Sequence, residues 1–522
     1  MIGRPVVLGL VGAFVASGVA LAGPAEDVAE CLDAADIQCA HQIGDALISA
    51  DPKGVTALRV GAWIAYYEGR YDDAVRLIDE LKAKGVEVEK EEPDVPYRAT
   101  QQAAQGMVQL RRGGVSVRYA PGYDAILGEE ALDTLGVAKG VYAKVFGGVP
   151  GQELVLDIFP TASRFTLASG LPEESVETTG VVALSKWTRL LLTSPRALSH
   201  GYEWKDTISH EYIHLVVAWR TEDKAPVWLQ EGLAKYLEGY WRGATDGGLS
   251  AQHQSLLAQA VRSGKFVPFE KFARSMAYLD SGEEAALAFA QVSTMVRFLV
   301  ETKGIAVLPG VLDAVKGGTD AQVAVARAAG KANFDEFRAA WVAWLGTLPL
   351  IQQQLAALPV VVDGGGDEFA SDPLLAGRPD LARYTRLGDL LREAERPRAA
   401  LEEYAKAEDP SGPPSPLLLA RKALCYDALG DRKKALSLAD EGVGLYPEFT
   451  LLQVTRARLL DKEGRTADAV GAWKAAHDLN PYDPEVQAAL VRGYGALGDA
   501  AAAARHAGYA RILATGGAGA RP

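Results

Sequence analysis

The chain has 522 residues, 48% of them hydrophobic and 23% charged, and a formal net charge of −13 at pH 7. That length exceeds one ordinary core and implies two to four domains, and the composition is that of a folded globular protein rather than a disordered or polytopic membrane one. So acidic a balance offers nothing to replace phosphate counterions, which excludes nucleic-acid binding as a general function.

The chain begins with Arg4 ahead of an uncharged run, residues 5–22, that ends in Ala20-Leu21-Ala22. A basic start, an apolar middle and small residues at the exit predict a secretory signal over 1–22. The mature protein is then exported, periplasmic or secreted, with no membrane attachment after cleavage. The alternative is an uncleaved anchor, since eighteen apolar residues just span a bilayer. Cys31 and Cys39 lie eight apart. They either bridge two antiparallel helices in an oxidising compartment or serve as two small buried hydrophobes. Residues 23–112 are expected to form helical hairpins, one of them turning at Gly69 ahead of Ala74-Val75. The acidic run 87–92 reads as a solvated loop.

A region of another kind follows. Val115 to Tyr119 alternates like a strand, 125–146 reads as a helix stopped by Gly147-Gly148, and 153–159 is a second strand ended by Pro160. A third short strand is expected at 181–184, with a continuation at 189–192. Beyond it the chain reads as mostly helical to about 350. A small sheet preceding a helical half is an α+β arrangement.

His210-Glu211-Tyr212-Ile213-His214 lies in a run, 206–219, that reads as a helix capped by Asp206 or Thr207. Residues i and i+4 stack on one helix face, so both imidazoles reach a single ion. Glu211 falls about 100° round from His210, beside the metal rather than on it, where a base must stand to take a proton from activated water. A tetrahedral zinc with an open position needs one more protein ligand, commonly a carboxylate from a neighbouring helix. Glu231, seventeen positions beyond His214 in the helix that starts after Pro226, supplies it.

These two segments, His210-Glu-x-x-His214 and Trp228-Leu-x-Glu231-Gly-Leu-Ala234, resemble the gluzincin metallopeptidases, in particular the peptidase-MA-like group. The resemblance covers about residues 113–350. It implies a gluzincin-type domain binding one Zn2+ per chain through His210, His214 and Glu231, with Glu211 as catalytic general base. The later run Ala288 to Leu299 resembles the helix that packs behind the site. Two positions depart from the pattern. Lys235 stands where relatives often carry an acidic residue able to orient a ligand imidazole, which leaves that task to another group such as Glu238. Phe289 stands where an oxyanion-stabilising tyrosine is expected, which leaves Tyr202, Tyr240, Tyr278, His200 and His253 as candidates.

Residues 351–378, with Gly364-Gly365-Gly366, read as a linker. From 379 to 515 the turn signals Glu395-Arg396, Gly430-Asp431, Gly464-Arg465 and Gly498-Asp499 recur at spacings of 35, 34 and 34. Each is followed five residues on by alanine and a second apolar residue, a pattern that resembles tetratricopeptide repeats. Cys425 falls in an apolar helical stretch and reads as core. The whole predicts an exported zinc metallopeptidase acting on a peptide or protein substrate, with repeats that engage a protein partner and can be removed without loss of the metal. The alternative is a repeat scaffold carrying a weakly active or inactive peptidase-like domain.

Overall fold

The computed structural model describes residues 23–92, 95–172, 180–245, 247–273, 279–362 and 369–516. The signal segment 1–22, Tyr278 and residues 364–366 lie outside them. No helix among the described residues is long and apolar enough to cross a membrane.

Two helical hairpins open the chain. The first pairs Pro24–Asp33 with Ile37–Ala50, joined by a Cys31–Cys39 disulfide with 5.6 Å between Cα atoms. The second pairs Val55–Tyr67 with Tyr71–Ala83. The acidic run after them is not a solvated loop. Glu92 is buried and accepts from Trp63 Nε1 at 2.9 Å and from Tyr97 Oη at 2.6 Å, because a carboxylate taken out of water needs such donors.

Five strands then form one sheet: Val108–Arg112 (β1), Val115–Tyr119 (β2), Leu154–Phe159 (β3), Ala183–Lys186 (β4) and Arg189–Thr193 (β5), in the order β1-β2-β3-β5-β4. The β2–β3 and β3–β5 pairs are parallel and both edge pairs antiparallel, with Val117 opposite Leu156 and Leu156 opposite Leu190. Every residue of β3 is buried, as a central strand covered on both faces requires. Strand β1 was not expected from its composition, since Arg111 and Arg112 break the apolar pattern. Its signal is the turn instead. Gly113 and Gly114 both hold positive φ (58° and 72°), the geometry of a tight hairpin.

Helices Ala125–Phe146, Ala162–Ser169 and Trp204–Thr221 pack on this sheet. The last of them, the motif helix, starts two residues earlier than the sequence reading, and Asp206 does not cap it. The Asp206 carboxylate accepts from Trp241 Nε1 (2.8 Å) and Arg242 Nη2 (2.6 Å), a tertiary pairing that outweighs the local capping option. The motif helix ends where Glu222 and Asp223 turn left-handed, and Val227–Leu237 then runs back against it. Behind that helix lies Gly282–Lys303, and the approach is close. A Cβ on Gly232 would stand 2.9 Å from Val292 O, so the position after Glu231 must be glycine.

On either side of residues 363–368 the expected linker is packed, with Leu355, Phe369, Leu374 and Leu375 buried. Four helical hairpins follow: Pro379–Glu393 with Pro397–Lys406, Pro416–Ala428 with Arg432–Leu445, Thr450–Lys462 with Thr466–Leu479, and Pro484–Ala496 with Ala500–Ala514. Their turns hold Glu395, Gly430, Gly464 and Gly498, all at positive φ. Ala400, Ala435 and Ala469 are fully buried at the helix crossings, whereas the corresponding Ala503 of the last helix is half-buried. The sole cysteine of this half, Cys425, is buried and free.

Candidate metal centre

His210, Glu211 and His214 lie one to four residues apart on the motif helix, and Glu231 comes from the second turn of the helix beside it. Both helices are held from outside by Tyr142 Oη, which sits 2.6 Å from Ser209 Oγ and donates to Leu237 O at 2.8 Å. The connection between them is equally fixed, since Gln230 Nε2 donates to Ala225 O at 2.8 Å. Glu231 Oε2 stands 3.4 Å from His210 Nε2 and 3.5 Å from His214 Nε2. Potential ligand atoms of the three residues all lie within 4.8 Å of one another.

All four side chains are buried. His210 Nε2, both His214 nitrogens, both Glu211 oxygens and both Glu231 oxygens are shut off from solvent without a hydrogen-bond partner. Orphaned polar atoms are costly, and so many in one place call for a missing partner. Two imidazoles and one carboxylate are the donor set of an open zinc site, so the residues present fit that ion. Burial raises the Glu211 carboxyl above its ordinary value, against the opposing pull of His214 and His210. Burial also acts on Glu231, but there the imidazoles of His214 and His210 win and hold its carboxyl below the ordinary range.

One support was only partly legible in the sequence. His210 Nδ1 lies 3.1 Å from Glu238 Oε2, and Glu238 also holds the Lys235 ammonium in an ion pair. Burial would push the Glu238 carboxyl up, yet Lys235 and His210 hold it at about 2. Lys235 therefore does not remove the outer support of the site. It moves that support one turn along the helix.

The oxyanion candidates separate. Tyr202 Oη donates to Thr193 O, Tyr240 Oη donates to Tyr236 Oη at 2.9 Å, and His200 Nε2 pairs with Ser371 Oγ. His253 and Phe289 line a cavity that reaches His210.

A peptidase MA superfamily model matches residues 144–347, a span that contains every residue of the centre. The chain carries a peptidase MA superfamily domain. That domain is gluzincin-like, with a candidate His-His-Glu zinc site. Three solved structures of yeast leukotriene A4 hydrolase overlay on the chain. The complex with bestatin does so at a TM-score of 0.29 and 10% identity, over 78% of this chain and 67% of the other. The native enzyme gives 0.30 at 10% identity over 79% and 67%. A further native structure, from Saccharomyces cerevisiae, gives 0.32 at 11% identity over 78% and 67%. Superpositions this loose carry no residue correspondence. No curated protein matches the sequence of the chain.

Proposed function

We propose that the protein is an exported zinc-dependent peptidase, with His210, His214 and Glu231 holding the ion and Glu211 as general base. The observation that carries the reading is the convergence of three buried ligand-type side chains whose facing atoms, His210 Nε2, His214 Nε2 and both Glu231 oxygens, lack a hydrogen-bond partner, beside a fourth buried carboxylate, Glu211. Zinc when bound supplies Lewis acidity, lowering the pKa of water to near 7 and polarising a scissile carbonyl. Glu211 takes the proton of the attacking water on Oε1 or Oε2 and returns it to the departing amine. Glu238 fixes the His210 ring through Nδ1, leaving Nε2 for the ion.

Export rests on the charge and apolar pattern of residues 1–22 and gains support from the Cys31–Cys39 disulfide, a bond that persists in oxidising compartments. Fractionation of the native host tests it, with full-length precursor retained in the cytoplasm as the opposing result.

A second reading, a repeat scaffold on a peptidase frame with little catalysis, draws on Phe289 in place of tyrosine. Against it stands Glu211. A carboxylate with both oxygens buried and unbonded is expensive to keep, and a domain freed from catalysis has no use for it. The deciding experiment is metal content of the purified mature chain, followed beside hydrolysis of a mixed peptide library. One zinc per chain with chelator-sensitive cleavage supports the peptidase, zinc without cleavage supports the scaffold, and a metal-free protein overturns the metal site and the peptidase reading with it.

A further inference from the structure

A cavity of about 120 Å³ adjoins the centre at His210 and Glu238. Its apolar walls within the peptidase domain include Leu198, Ala286 and Phe289, with Asp206, Lys235 and His253 among the polar ones. Its roof comes from elsewhere in the chain: Leu358 and Val360 of the segment after the domain, and Glu448 of the repeats. Neither His214 nor Glu231 lines it, so its contents would lie to one side of the reacting atoms.

The roof is held in place by specific bonds. Val361 O accepts from Ser199 N at 3.0 Å, and Leu198 and Val362 form an antiparallel bridge, so this strap runs extended beside the loop that leads into the motif helix. Upstream, Ser255 Oγ donates to Gln353 O at 2.7 Å. The repeats are pinned to the same loop, since Thr450 Oγ1 donates to His200 O at 2.6 Å and Tyr202 N donates to Leu479 O at 3.1 Å. The exposed lining is predominantly hydrocarbon, and its acidic side chains are Glu238, paired with Lys235 and His210, Asp206, paired with Arg242, and Glu203 and Glu448. Phe289 adds an apolar ring where a tyrosine would have brought a hydroxyl.

We propose that this cavity receives a bulky apolar side chain of a peptide bound at the metal centre, so that the strap and the repeats, together with the peptidase domain, set which residue is accepted. The proposal rests on the reading of the centre as a peptidase site. Transfer of a leucine- or phenylalanine-sized side chain from water into such a cavity favours it by roughly 10- to 200-fold over alanine. A carboxylate side chain would lose its hydration there beside Glu203, Asp206, Glu238 and Glu448 and would be rejected.

The test uses the full mature chain loaded with zinc, in two forms. In the Glu211→Gln form, binding of fluorescein-labelled Ala-Ala-X-Ala-Ala peptides is read by anisotropy with X as Leu, Phe, Ala or Asp. In the unsubstituted form, cleavage of the same peptides is profiled. At least tenfold preference for Leu or Phe over Ala and Asp is expected in both. Filling the cavity from the roof with Val360→Trp, or from the floor with Ala286→Leu, should each collapse that preference while leaving zinc content unchanged. Two walls are altered separately so that misfolding of one variant does not decide the matter. Cleavage with no dependence on X, or a preference untouched by both substitutions, overturns the proposal and leaves the peptidase reading standing. Selective binding without any cleavage does the reverse.

Discussion

The Glu238 carboxylate stands 3.1 Å from His210 Nδ1 with its other oxygen paired to Lys235, so one buried anion orients a ligand imidazole while a lysine neutralises it. Partners of this kind typically contribute 10- to 100-fold in metal affinity. Glu238→Gln keeps the shape but removes the charge, and is expected to weaken zinc by about that factor in a competition titration with a fluorescent chelator. Equal affinity in the variant would mean that Glu238 serves packing alone. Lys235→Met leaves Glu238 charged and buried without its cation, and should cost stability more than zinc affinity.

Glu211 separates binding from chemistry. It lies on the motif helix between the two imidazoles but holds neither, and its oxygens have no partner that a substitution would orphan. Glu211→Gln is expected to retain one zinc per chain and lose at least 10²- to 10⁴-fold in peptide hydrolysis. Glu231→Gln should instead lose zinc. Hydrolysis at the unsubstituted rate in the first variant, or unchanged zinc in the second, would reverse the assigned roles.

The repeats are less separable than their periodicity implies. Lys205, on the first turn of the motif helix, pairs with Glu130 at 2.6 Å and with Asp478 of the third repeat hairpin at 2.7 Å. His477 Nε2 completes the cluster 2.7 Å from Glu130 Oε1. Gly201 is pressed so near that a Cβ there would lie 2.0 Å from Leu479 O. Lys205→Met leaves Glu130 with His477 alone and Asp478 with Lys474 alone, and costs at most the about 3–5 kcal/mol of a broken buried pair. Urea denaturation should read that loss directly. A chain ending before Pro379 exposes the same surface and is expected to lose cooperative folding and zinc together. A truncated form that melts cooperatively with its metal would restore the repeats as an independent module.

What the sequence disclosed follows the range of the interactions. His210, Glu211, His214 and Glu231 fall within two helical segments, so spacing alone brings them together, and the repeat turns at Gly430, Gly464 and Gly498 likewise write their signal locally. Asp206 and Glu92 were misread for the opposite reason. Each has a local role available, a cap or a solvated loop, and each is claimed by partners elsewhere in the chain. The Glu130–His477 pair spans 347 positions, and no periodicity announces a contact at that distance. Glu238 stands between these cases: it caps the end of the helix that carries Glu231, so it is visible as a candidate, while its pairing with His210 is a contact across 28 positions.

His200 makes the dock between the peptidase domain and the repeats sensitive to acid. Its ring packs against Phe449 at a tilt of 41° with centroids 4.5 Å apart, its Nε2 pairs with Ser371, and burial pushes its pKa down to about 4. An unfolded histidine titrates near 6.5, so between about pH 6.5 and 4 the unfolded chain takes up a proton that the folded chain refuses. The native state therefore loses stability as pH falls through that window, and this group contributes no further loss below it. His200→Gln removes the titration. At pH 7.5 the variant should be less stable by about 1 kcal/mol, the usual contribution of a hydrogen bond. That deficit should shrink and reverse as pH approaches 5, since the proton uptake that weakens the native chain is gone. His506, whose pKa burial also lowers to about 4, is common to both proteins and cancels in the difference. Denaturation at a series of pH values checks the expectation, and two stability curves that stay parallel from pH 7.5 to 5 would show that His200 is not the group responsible.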